Sequence, residues 1–199
     1  MSTYPDSTAV TNAALEQIAA QTKITNLSDG SPAALAASVV YAPTVQLLLR
    51  VMDPDFARFT AALAIATGTP PPPWAYQYTY PTNCLKLRQV RPPGSGTGSL
   101  ADPNNPTPVR SNVGVALVSS ALTRVVFTNQ VNALGVYTTS DVTEAQWDSA
   151  FSDAVVRRLA NPLAMALSGR PDFARELLDE AGRVAQIAEG VDESAVRRM

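Results

Sequence analysis

Between Ser7 and Gln21 apolar residues recur at helical spacing, Val10, Ala14, Leu15, Ile18 and Ala19 with polar residues between them, which predicts a first helix. Leu27-Ser28-Asp29-Gly30 then reads as a turn. Ser31-Pro32 signals a restart, because a serine oxygen can accept from an unpaired amide and proline at the first helical position gives up no bond. The second helix is expected to run to about Arg50, with Ala36, Val39, Val40 and Leu47 inward and a kink at Pro43. Asp53-Pro54 breaks it. Phe56, Phe59 and Leu63 then predict a third helix over residues 56–66.

The period changes after Gly68. Four prolines, Pro70 to Pro73, read as an extended, stiff spacer feeding the stretch Trp74 to Leu87. There Trp74, Tyr76, Tyr78 and Tyr80 recur at a period of two, which places alternate side chains on one face of a strand. Such a face either packs on the core or meets another protein chain; the expectation is that it seats the β part on the helices. Pro81-Thr82-Asn83 turns the chain into a second strand over 84–90, with Leu85, Leu87 and Gln89 on one face. Residues 91–108 form a Gly/Pro-rich loop, long enough to be mobile, functional or both. Three further strands are expected over 112–118, 124–128 and 133–138, the last two joined by a turn at Asn129-Gln130.

Helical spacing then returns. Thr143-Glu144-Ala145-Gln146 is a capping-box pattern for a helix to about Leu167, in which Trp147, Phe151, Val155, Leu159 and Leu163 make the buried stripe and Pro162 a bend. Gly169-Arg170-Pro171 ends it and opens a last helix to about Glu189, with a charged, flexible tail over 190–199. The expected fold is α+β and mainly α. It is an antiparallel bundle of long helices, 1–68 and 140–189, with a β-rich insertion, 69–139, between the helical halves.

Composition narrows the function classes. The chain has 199 residues, 46% hydrophobic and 16% charged, as an ordered globular protein does. A single cysteine excludes an internal disulfide, and no histidine means no histidine base, nucleophile pair or metal ligand. Cys84 reads as a small buried hydrophobe, and the pairs Asp53/Asp55 and Asp179/Glu180 as solvated or helix-end acids. No catalytic residue, cofactor or metal is therefore expected. Neither is a membrane, since no apolar run reads as approaching spanning length. Residues 1–139 carry six acidic and eight basic side chains, and 140–199 carry eleven and seven, so the β middle is locally basic and the end acidic. Lys86, Arg88, Arg91, Arg110 and Arg124 are the candidate contacts for a DNA channel or a partner protein.

Several local patterns coincide in order: Asn26-Leu27-Ser28-Asp29-Gly30-Ser31, the triplet Phe56-Ala57-Arg58, the run from Tyr76 through Tyr80-Pro81 to Cys84-Leu85, and the helix from Trp147 and Phe151 to Leu159-Ala160. Their order over roughly residues 10–185 resembles the head-to-tail adaptor (tail tubular, or head completion connector) family of tailed bacteriophages. The resemblance implies a virion protein without enzymatic activity, made in the host cytoplasm, that assembles as a ring of twelve at the head–tail junction. Such a ring joins the portal protein to the next tail or nozzle protein and passes double-stranded DNA without sequence specificity. On this reading Val191, Asp192, Glu193, Val196, Arg197 and Arg198 are the candidate portal-docking residues. The alternative is a DNA-binding packaging accessory protein that uses the five basic residues; a cell-wall hydrolase is remote.

Overall fold

A computed structural model of the chain describes residues 4–20, 22–93 and 109–168. Among these, three α-helices and two three-stranded antiparallel sheets form: α1 Ser7–Gln17, α2 Pro32–Met52, β1 Arg58–Ala62, β2 Tyr76–Thr79, β3 Cys84–Arg91, β4 Ser111–Val118, β5 Ala121–Thr128, β6 Leu134–Thr139 and α3 Ser149–Ser168. The expected fold class, a mainly α bundle of long helices, is thereby corrected. The expected loop over 91–108 lies outside the described residues from 94 on, and the expected last helix and tail lie outside them entirely. The described residues form two compact units. One takes those up to Phe56 and from Val142, and the other is Ala57–Asp141.

In the first unit α3 packs against both α1 and α2. Asp6 starts α1, its carboxylate accepting from the Ala9 amide at 2.8 Å. The Asn12 carboxamide then ties the following loop to the helix, accepting from the Ile24 amide at 2.9 Å and donating to its carbonyl at 3.0 Å. Ser31 caps α2 through the Ala34 amide, with Pro32 in the first turn, as the sequence predicted. The capping pattern at Thr143 is formed as well, Gln146 accepting from the Thr143 amide at 2.8 Å, but it closes only a 3₁₀ turn, Glu144–Gln146. The helix proper begins at Ser149, where Asp148 accepts from the Phe151 amide at 2.6 Å. The stripe Trp147, Phe151, Val155, Leu159 and Leu163 is buried throughout. Trp147 and Phe56 both stack edge-on against Phe151, at 5.0 and 5.2 Å between centroids.

The facing of α2 differs from expectation. Its buried residues are Ala33, Ala34, Ala37, Tyr41, Thr44 and Leu49, whereas Val39 and Leu47 are exposed. Nearly every position in this helix is apolar, so two faces compete, and close helix packing takes the one built from small residues. With Arg50 as its only charge, α2 is also long and apolar enough to cross a membrane by length and composition, which corrects the expectation that no such run exists.

The predicted helix over 56–66 is a 3₁₀ turn, Asp55–Ala57, followed by β1. Its three marker residues part company. Phe56 packs on Phe151, Phe59 lies opposite Tyr137 in the sheet, and Leu63 enters the β core. Asp53, left-handed at φ 45°, ends α2, and Pro54 cannot continue it, so the next residues find their backbone partners in β6.

In the second unit the sheet orders are β1-β6-β3 and β2-β5-β4. Single antiparallel bridges, Ile65 to Tyr78 and Val90 to Val109, join the sheets at both edges. The strands therefore complete a ring in the order β1, β6, β3, β4, β5, β2. Inside lie Leu63, Tyr78, Val90, Val126 and Ala133, with Tyr76, Tyr80 and Leu87 against them. Tyr78 is fully buried, donating to the Gln130 carbonyl at 2.8 Å. Trp74 does not share this face; it precedes the strand and packs in a separate cluster with Ala66, Val125 and Phe127. The prolines before it turn rather than extend, with a cis Pro72–Pro73 bond and the Trp74 amide donating to the Pro71 carbonyl. The expected pairing of the last two strands is also replaced. The hairpin is β4–β5, turning at Ser119-Ser120 with both residues at positive φ, and β6 lies between β1 and β3.

Candidate functional site

The five candidate cations meet five different environments. Lys86 on β3 is exposed. Arg88, half-buried on the same strand, donates from Nε to Thr138 Oγ1 at 2.8 Å. Arg91, at the end of β3, is only 1% exposed. With the Gln89 carboxamide turned so that its oxygen faces this side chain, Arg91 Nε donates to it at 2.7 Å. Burial holds the Arg91 guanidinium below its usual range, and Arg58 beside it adds to the effect. Arg110, just before β4, lies over Trp74 at 5.5 Å, and Arg124 on β5 lies over Tyr80 at 4.2 Å. Sequence proximity therefore overstated the basic patch. Three of these residues are on one sheet, Arg110 and Arg124 stand exposed over the rings that flank β2, and Arg91 presents no surface. The six candidate docking residues, Val191, Asp192, Glu193, Val196, Arg197 and Arg198, lie outside the described residues.

Just after the aromatic strand, Tyr80, Cys84 and Leu87 form a small polar network. Burial first, and Cys84 next, push the Tyr80 phenol above its usual range, so it stays protonated. Its oxygen accepts from the Leu87 amide at 3.2 Å. Cys84 is buried and forms no disulfide. Among the described residues no cluster of three or more acidic or cysteine side chains could hold a metal ion.

What spacing missed is apolar surface. Along α2, Leu35, Val39, Pro43, Leu47 and Val51 recur every fourth residue and all face outward. Val39, Val40, Pro43 and Leu47 border α3 across a groove of about 350 Å³, closed on the far side by Arg158, Asn161, Pro162 and Met165. Its lining is mostly apolar, with Thr44 and Asn161 as nearly buried polar side chains. A second apolar surface lies on the β4–β5 hairpin, where Val113, Val115, Leu117 and Leu122 share one face; Leu117 and Leu122 are directly paired two residues from the turn. The signal for the first was present in the sequence, as a second helical face of alanines at 33, 34 and 37 continuing to Tyr41 and Thr44. Each of these exposed aliphatic side chains would gain by leaving water.

No protein-family model matches the chain, and a search of curated proteins finds no match.

Proposed function

We propose that the chain is a structural head-to-tail adaptor of a tailed phage, assembling as a ring at the head–tail junction. The observation that carries this reading is the ordered set of local patterns, from Asn26-Leu27-Ser28-Asp29-Gly30-Ser31 through Tyr76–Leu85 to Trp147–Ala160. Exposed aliphatic surface on α2 and on the β4–β5 hairpin supports it, because a subunit whose work is assembly must keep apolar surface for its neighbours. In the proposed assembly twelve copies surround the DNA path, one end of the ring meets the portal and the other meets the next tail or nozzle protein. The ring belongs to the virion and is made in the host cytoplasm.

One observation weighs against the packaging-factor alternative. Burial of Arg91 takes one of the five cations off the surface, while Lys86, Arg110 and Arg124 remain exposed and Arg88 is half-buried. A channel that lets DNA slide needs weak contacts, so a sparse set of exposed cations suits it. Negative-stain images of the purified chain mixed with its cognate portal test the proposal. A ring with a central hole stacked on the portal is the expected result, together with DNA binding too weak to give a steep salt slope. Monomers that ignore the portal but shift DNA in gels, with an affinity falling steeply as salt rises, would support the packaging factor instead.

A further inference from the structure

The two exposed apolar surfaces differ in form: one is a groove between helices, the other a hairpin that outruns its neighbour. Strand β2 pairs only with residues 125–128 of β5, so the Leu117–Leu122 pair stands beyond the last rung of that ladder. We propose that the β4–β5 hairpin of one copy seats in the α2–α3 groove of the next copy, and that this is the subunit contact of the ring. The inference rests on the adaptor reading for the ring itself, while the contact rests on the surfaces.

Area argues for a second copy as the occupant. A fully exposed Val, Leu or Met side chain offers about 100 Å² of apolar surface. Leu35, Val39, Leu47, Val51 and Met165 are 44–72% exposed and the four hairpin residues 36–80%. Each face therefore presents roughly 250–300 Å² of apolar side chain. A standard interface buries about 1,600 Å² in total, a little over half of it apolar. Met by a polar surface, either face alone would fall far short of that apolar share. Met by each other, they supply more than half of it. The pairing is also heterologous, joining unlike patches, and a contact of that kind repeats around a ring when its rotation closes. Two identical α2 faces meeting across a two-fold axis would stop at a dimer.

Disulfide trapping in the full chain tests the contact. Val39→Cys and Leu117→Cys are made singly and together; native Cys84 is buried and stays as an internal control. Oxidation is carried out on the free chain and on the chain mixed with portal. The double variant is expected to give a ladder of covalent multimers, with each single variant at least tenfold less cross-linked. Efficient dimers from Val39→Cys alone would overturn the proposal in favour of a two-fold helix contact. A bridged monomer from the double variant would overturn it in favour of a contact within one chain. Flotation with lipid vesicles, lost on Val39→Asp and accompanied by no ladder, would overturn it in favour of a membrane as the occupant of α2. A ring without the cross-link overturns this contact and leaves the adaptor reading standing. A ladder that never closes upholds the contact and overturns the ring.

Discussion

Two side chains show how local chemistry is fixed before any partner arrives. Asp29 closes its turn by accepting from the Ser31 and Thr25 amides, each at 2.9 Å. Hydrogen bonding from Ser31, hydroxyl first and amide next, and then from Thr25, lowers its carboxyl from 3.8 to about 2. The folded value lies below the ordinary one, so the ionised group stabilises the turn. That contribution is complete above pH 4 or so and is lost as the pH falls toward about 2. A carbon-13 titration of the Asp29 carboxylate should show a midpoint near 2, and Asp29→Asn should flatten the acid limb of the stability profile in this window. A midpoint at or above 3.8 would contradict the turn geometry. Tyr41 works in the opposite sense. Burial first, and then Glu144, push its phenol far above the usual range, so it remains a donor to Glu144 Oε1 at 2.8 Å. Removing that donor with Tyr41→Phe should cost about 1.5–3 kcal/mol in urea unfolding, as for a bond to a charged acceptor. An unchanged midpoint would show that the pair contributes nothing.

At the scale of elements, α2 and α3 make complementary predictions. Leu159→Ala empties a fully buried position and should destabilise by about 2–5 kcal/mol. Val39→Asp sits on the outer face and should change the stability of the unassembled chain by about 0.5 kcal/mol or less. Chemical denaturation of dilute protein measures both, and a multi-kcal/mol loss at Val39 would restore the facing that the sequence spacing suggested. Much of the element order was legible. The helix from Ser7, the capped start at Ser31–Pro32, the α3 stripe and the later strands can be read from periodicity and capping, because those signals are local. Two things could not be read. Residues 58–62 become a strand only because β6 lies beside them, and no short-range pattern reports a partner some 75 residues away. The facing of α2 was ambiguous because both of its faces are apolar, and close packing selected the alanines over the larger side chains. The candidate cations were legible as residues but not in their surroundings. Whether Arg91 is a surface charge or a buried one depends on Gln89 and Arg58, which the fold brings to it.

For the whole molecule, assembly is the claim from which the rest follows. The described residues divide into a helical unit and a ring-ordered β unit, and each carries aliphatic surface that its own unit leaves in water. A subunit that meets two different neighbours around a channel needs surfaces of this kind to bury against them. The most direct test is the native mass of the complex that the full chain forms with its cognate portal. The expected result is one discrete species carrying a fixed, closed complement of twelve copies, which resists dilution and is dispersed by Leu117→Asp or Val39→Asp. A chain that stays monomeric in the presence of portal at every concentration would contradict it.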